Sequence, residues 1–391
     1  MPATNLRRRI PFAAGLMLLF VLLIVSSQAA SALAEAPLQW RVVSSKTPGT
    51  EATFYGVSTL ATGDAWAVGN YTNKSGQGKT LTERWDGTRF NVVSSPSVLN
   101  TPNILRGVSA RSASDTWAVG DTGTIQGTQT LTEHWNGTRW KIATSPSPGL
   151  YNYLNAVAAV SANNVWAVGR WDTEQGAVST LIEHWNGSSW QVVPSPNVTS
   201  FNELYAVTVV SAKDVWAVGY FLTFRPDGAA INQTLTEHWN GSRWKVVTSP
   251  NIENLSNTLY GVTEVSSNNV WAVGGLYDPG TGQGSTLIQH WNGSQWKRVN
   301  SPNPPSGGGL NGMAAISSHD IWAVGSYQMG QTLTLIEHWN GSRWKIVTSP
   351  NPGSYNILWA VAADTTGRAV AVGVYTVNFG PGRTLAEIHD A

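Results

Sequence analysis

No cysteine occurs anywhere in the sequence, which excludes disulfides, thiol catalysis, cysteine-ligated metals and lipoprotein anchoring. Charge is also scarce. Asp, Glu, Lys and Arg make up 12% of the chain against 41% hydrophobic residues, a balance that suits a packed globular chain and not a disordered one. Basic excess is absent too. With Arg7, Arg8 and Arg9 set aside, 21 basic residues face 23 acidic ones, a net charge of −2 that argues against nucleic acid as a partner. Only one long apolar run is present, at residues 12–25, and it is shorter than the ~20 residues needed to span a bilayer. The three arginines ahead of it and Ala32-Leu33-Ala34 behind it form a secretory signal pattern, with cleavage expected before Glu35. The reading is therefore a signal peptide at 1–34, a mature protein at 35–391 with no membrane span, and export to the cell envelope or beyond.

What the chain has in abundance is tryptophan, 20 residues of it, set in a repeat. Trp-Ala-Val-Gly begins at Trp66, Trp117, Trp166, Trp216, Trp271 and Trp322, and a degenerate copy, Val370-Ala371-Val372-Gly373, follows at spacings between 48 and 55 residues. A second landmark is Glu-His-Trp-Asn-Gly, with tryptophan at Trp135, Trp185, Trp239 and Trp339, varied to Gln289-His290-Trp291 and to Glu83-Arg84-Trp85. A third aromatic comes five residues later, at Phe90, Trp140, Trp190, Trp244, Trp296 and Trp344. Each unit reads as four short strands, a to d, separated by turn residues. In the fifth copy these are 259–265, 270–274, 286–291 and 296–299, with Asn292-Gly293 as the hairpin turn between c and d because Asn and Gly tolerate positive φ.

The two ends of the chain discriminate between a ring and a linear stack. The last copy stops at His389-Asp390-Ala391 without a strand d, while Gln39-Trp40-Arg41-Val42-Val43 matches that missing strand. An N-terminal strand at 39–45 completing the C-terminal copy at 358–391 closes a circle and removes exposed sheet edges. The expected fold is thus all-β, a single seven-bladed β-propeller of four-stranded antiparallel blades over 35–391. A hydrophobic strand ending in Gly, then an aromatic, a strand with Trp and a Trp five residues on resembles the kelch-type propeller repeat, as in the central domain of galactose-oxidase-like proteins, and the Trp-Ala-Val-Gly repeats of exported bacterial proteins. Copper-radical oxidase chemistry does not follow from that resemblance, because it needs a cysteine cross-linked to tyrosine. Sialidase chemistry does not follow either, since no Asp-box or arginine triad is found.

The repeated tryptophans are expected to be packing residues. The histidines of the Glu-His pairs, His134, His184, His238 and His338, recur at one strand position around the ring and so do not converge on one reacting atom; a structural hydrogen bond to a neighbouring turn is their expected role. No catalytic, metal or cofactor motif is found, and none is assigned. Variation marks the candidate site. One position near the start of strand a varies among the copies beside a nearly constant small residue: Tyr55, Arg106, Asn155, Tyr205, Tyr260, Asn311 and Trp359. The b-to-c and d-to-a loops vary on the same face and add Trp171 to the candidate ligand-binding residues. Aromatics, amides and Arg there suit a glycan or an extracellular protein, bound by a monomer. A lyase or hydrolase using Asp172, Glu203 or Asp227 and a structural envelope protein are the alternatives.

Overall fold

The computed structural model describes residues 39–61 and 63–390, so the expected signal peptide lies outside the described residues. Among the described residues every element is a strand, and the strands form seven four-stranded antiparallel blades. Five are separate sheets; the sixth and seventh are joined through one parallel bridge, Thr332 to Tyr355. Strand a lies innermost, at Glu51–Thr59, Asn103–Ser112, Asn152–Ser161, Asn202–Ser211, Ser256–Ser266, Gly309–Ser317 and Tyr355–Ala363. The first two strands of the fifth blade run further than the sequence suggests, Ser256–Ser266 and Asn269–Tyr277, because they extend together toward the variable face.

Trp-Ala-Val-Gly is a strand buried on both faces, and its alternation of large and small residues divides the work. Trp66 and Val68 reach the second blade, where they join Leu105, Leu131, Trp135 and Trp140; Ala65 and Ala67 turn back and receive Val370 and Val372 of the seventh. Trp66 sits 5.0 Å from Trp135 and 5.1 Å from Trp140, edge-on to the latter at 84°. The same arrangement seats Trp117 on Trp185 and Trp190, Trp166 on Trp239 and Trp244, Trp216 on Trp291 and Trp296, and Trp271 on Trp339 and Trp344. Edge-to-face pairs of this kind add to the burial of apolar area.

Closure uses the same contact with parts from both ends of the chain. Trp40–Val42 pairs antiparallel with Arg383–His389, so the first strand of the chain is strand d of the last blade. Trp322 then packs 5.1 Å from Trp40, at 82°, and 4.8 Å from His389, which stands where other blades have the strand-c tryptophan. Between the seventh blade and the first, Val370 replaces tryptophan opposite Trp85 and Phe90.

The histidines lie at the opposite end of the blades from the variable loops. Nε2 of His134, His238 and His338 is 2.7–2.8 Å from Asp115, Asp214 and Asp320 of the a-to-b turns, and His184 meets Asn164 at 2.9 Å. Each imidazole also lies against the Trp-Ala-Val-Gly tryptophan of its own blade, His134 on Trp117 at 4.4 Å for instance. The c-to-d turns differ in detail from the sequence reading. Only the glycine takes positive φ, as at Gly293 (91°), while the Asn292 carboxamide oxygen accepts from the backbone N–H groups of Ser294 and Gln295.

Two outcomes test this architecture. Trp40→Ala removes the aromatic that closes the last interface, and we expect a loss of about 3–5 kcal/mol in urea unfolding, close to that of Trp140→Ala; a loss below about 1 kcal/mol contradicts closure by the N-terminal strand. At Gly219 a Cβ would overlap the carbonyl oxygen of Glu203 on strand a. Gly219→Ala should therefore destabilise by more than the ~1 kcal/mol scale of a propensity change, and circular dichroism melting reads the difference.

Candidate functional site

Strand a carries an irregularity in every blade. Its register against strand b slips between Phe54 and Gly56, Leu105 and Gly107, Leu154 and Ala156, Leu204 and Ala206, Leu259 and Gly261, Leu310 and Gly312, and Leu358 and Ala360. The residue left over at each slip is Tyr55, Arg106, Asn155, Tyr205, Tyr260, Asn311 or Trp359. These are the seven variable positions. A β-bulge re-aims one side chain out of the alternating pattern, and here it turns all seven to the propeller axis. The signal for the bulge is on the neighbouring strand: the Gly of Trp-Ala-Val-Gly is where the bulged strand's carbonyl takes the place of a Cβ.

Together the seven side chains line one mouth of about 430 Å³. Below it the channel holds about 220 Å³ and is lined by the next two residues of each strand, such as Gly56 and Val57. The collar must be small, since a Cβ on Gly107 would come within 2.8 Å of the Ala156 backbone in the next blade.

The mouth is not uniform. Tyr55 and Trp359 stand together on one side, ring centres 6.2 Å apart, and Tyr205 and Tyr260 stand together on the other, 5.1 Å apart, with Tyr220 stacked behind Tyr205 at 5.8 Å. Arg106 and Asn155 fill one gap between these aromatic walls and Asn311 fills the other. Both amides are fixed by their nitrogens, Asn155 Nδ2 donating to the Leu204 carbonyl at 2.8 Å and Asn311 Nδ2 to the Leu358 carbonyl at 2.9 Å. Their carbonyl oxygens make no hydrogen bond among the described residues and remain acceptors.

Charge is concentrated behind blades two to four and is internally compensated. Arg106 Nε donates to Asp121 at 2.6 Å, and Arg170 stands 3.5 Å from Glu203 and 3.6 Å from Asp172 while its guanidinium lies 4.7 Å from the Tyr153 ring. Glu203 is the hub: it also accepts from Asn155 Nδ2 at 3.1 Å and from the Tyr205 hydroxyl at 3.3 Å. Burial raises the Glu203 carboxyl above its ordinary value, against the opposing pull of Arg170, Asn155, Tyr205 and Arg106. Asp121 is raised by burial against Arg106. Burial also raises the Tyr205 hydroxyl and carries Tyr220 to about 12, so both are neutral donors at physiological pH.

Trp171 is not on the axis. It lies past the end of the bulge, on the opposite face of its strand from Arg170, and packs against Gly149 and the cluster around Trp117 and Trp190. Of the acids considered for catalysis, Glu203 and Asp172 both answer to Arg170, and Asp227 pairs with Arg225 on an exposed loop at 2.7 Å. Glu203 and Arg170 are the site residues that repeat divergence alone did not single out as a pair; they precede the bulge and end strand b, positions paired only once the register is known. Among the described residues no group of three or more His, Asp or Glu could hold a metal ion.

No family model matches the chain, and no curated protein matches it in sequence. Solved structures do match. YCF48 bound to D1 peptide has a TM-score of 0.52 at 13% identity, over 91% of this chain and 99% of that one. YCF48 from Cyanidioschyzon merolae gives 0.51 at 15%, over 90% and 98%. A polysaccharide lyase of family PL25, an ulvan lyase bound to -[GlcA(1-4)Rha3S]-, gives 0.54 at 8%, over 88% and 95%. At these identities the likeness is one of fold, and the fold is the β-propeller.

Proposed function

We propose that this protein is an exported, non-catalytic binding propeller whose axial mouth takes the end of an uncharged glycan. The observation that carries the reading is the division of the mouth into two aromatic walls with amide and guanidinium groups in the gaps between them. A pyranose ring has two faces rich in C–H and an edge of hydroxyls, so its faces suit the walls, while Asn155, Asn311 and Arg106 suit the edge. Lack of free charge supports an uncharged ligand, because Arg106 is already matched by Asp121 and Arg170 by Glu203. Export rests on the leader pattern at 1–34, and the kelch-like blade is taken as scaffold without oxidase chemistry.

A protein segment is the second reading. It is favoured by apolar side chains standing out on the same face, Ile125, Phe224 and Phe379 among them, a surface that a protein partner would cover. Of the similar structures, YCF48 was solved with a peptide and the ulvan lyase with a saccharide.

A panel of soluble and insoluble glycans, titrated with the purified protein, separates the readings. Saturable binding that Tyr205→Ala and Trp359→Ala each weaken at least about tenfold, with Trp171→Ala unchanged, is the expected result. No binding to any glycan defeats the glycan reading and turns the search to peptides. For Glu203→Gln we expect a several-fold loss of affinity with little change in melting temperature, since the ion pair to Arg170 goes while the shape stays. Unchanged affinity in calorimetry shows that the hub does not orient Asn155 and Tyr205.

A further inference from the structure

Among the described residues, the glutamates at the Glu-His-Trp position of strand c are the most deeply placed ionisable groups. Glu83, Glu133, Glu183, Glu237, Glu337 and Glu387 are fully buried, and Gln289 takes the same position in the fifth blade. Alternation along strand c sends each away from the residue that follows it, a histidine in blades two to six, Arg84 in the first and Ile388 in the last. Leu131 and Trp135, on the same side as Glu133, pack on Trp66 and Val68 of the preceding blade.

What these side chains meet is clearest in two blades. Gln289 Nε2 donates to the Pro250 carbonyl at 2.7 Å, across the interface, in the Ser-Pro segment that leaves the fourth blade. Glu83 meets the equivalent segment at the closure of the ring, where Ser45 donates to its Oε2 at 3.1 Å and the backbone N–H of Lys46 also reaches it. Lys46 is the exception among the copies. The other segments have proline after the serine, at Pro96, Pro146, Pro196, Pro250, Pro302 and Pro350. Proline has no N–H, and the serine hydroxyls are engaged by their own blades, as Ser145 is with Thr130 at 2.7 Å. A carboxylate facing such a segment has carbonyl oxygens before it and no backbone donor, whereas a carboxylic acid brings its own.

We propose that the glutamates facing Ser-Pro segments, Glu133, Glu183, Glu237, Glu337 and Glu387, are protonated in the folded protein and donate an O–H to the preceding blade, as Gln289 donates its N–H. As pure acceptors, their oxygens have no hydrogen-bond partner among the described residues, apart from the Ser301 hydroxyl that approaches Glu337. The elements packed on them bring no opposite charge. Around Glu133 these are Trp66 and Val68 of the preceding blade, Ala118 of its own strand b and Ile142 of strand d. Burial alone pushes Glu183 and Glu387 up to about 8 and Glu133 and Glu237 well above the usual carboxylate range. Glu337 is carried to about 8 by burial, opposed only by the Ser301 hydroxyl. Burial carries Glu83 to about 8 as well, against Ser45, the Lys46 N–H and the Lys46 ammonium, and it is the one copy with a charge of opposite sign facing it.

The consequence is that the joints between blades are linked to pH. From the ordinary carboxylate range up to about pH 8 the folded state keeps protons that the unfolded chain releases, so stability is fullest in acid and falls as pH rises through that window. Each such group raises the unfolding constant by up to about tenfold per pH unit, on top of what other buried groups such as Glu83, Glu203 and Glu264 contribute, so the change in slope between a variant and the wild type counts the group altered.

Urea unfolding of the purified protein between about pH 5 and about pH 9, followed by tryptophan fluorescence, tests this. We expect stability to fall with pH, Glu183→Gln to hold its stability while removing up to one proton from the slope, and Gln289→Glu to add one. The infrared band of protonated carboxyls in the folded wild type gives a reading independent of any variant. Stability that is flat or rises with pH, absence of that band, or a Glu183→Gln protein that is destabilised or unfolded would overturn the proposal, because each identifies the group as an ionised acceptor.

Discussion

Everything in this molecule depends on one contact, the tryptophan of each strand b seated between two aromatics of the next blade. With no cysteine available, cohesion must come from burial, and a blade buries both of its faces only against neighbours. The contact is directional: each blade gives a tryptophan and a valine forward and offers alanine and glycine behind. A directional contact repeated around a circle is satisfied everywhere only if the circle closes. That requirement explains why Trp40, at the start of the described chain, packs with residues near its end, and why His389 and Val370 can replace tryptophans at the two interfaces flanking the last blade, where the chain is stitched together.

The second constraint is the bulge. One residue per blade is taken out of the strand ladder and out of the interface packing, so its identity is nearly free with respect to the fold. Seven such positions can hold tyrosine, arginine, asparagine and tryptophan while the residues on either side, Leu or once Phe before and Gly or Ala after, hardly change. The glycine of strand b allows this freedom, because it leaves room for the displaced carbonyl of strand a. Scaffold and specificity are therefore separated at the level of single residues, as is expected when a site is grafted on a repeated frame.

Sequence reading reached the blades and their closure because both are written in residue type. A period of about fifty, a strand missing at one end and its match at the other need no coordinates. The ring of variable positions was also legible, through divergence beside constancy. Its cause was not, since nothing in Phe54-Tyr55-Gly56 announces a bulge; the mark stands on strand b as Gly69. Trp171 shows the limit. Its residue type and loop suggest a ligand, but which face of strand b it occupies follows from alternation after Trp166, and that face packs on the preceding blade. The partnership of Arg170 with Glu203 was invisible for the same reason, as the two come from different blades.

Symmetry of frame and asymmetry of site fit together through order. Seven identical sectors would offer a ligand seven equivalent poses, and binding energy would be spent without fixing orientation. Here the sectors read aromatic, arginine, amide, aromatic, aromatic, amide, aromatic, so that no rotation about the axis maps the mouth onto itself. The charged support confined to blades two to four deepens the difference, because it stiffens Asn155 and Tyr205 through Glu203 while Asn311, opposite, is held only by a backbone carbonyl. Under the proposed reading, a ligand entering along the axis would meet a firm side and a softer one, and its orientation would be set by which edge can use the fixed acceptor of Asn155 and the guanidinium beside it.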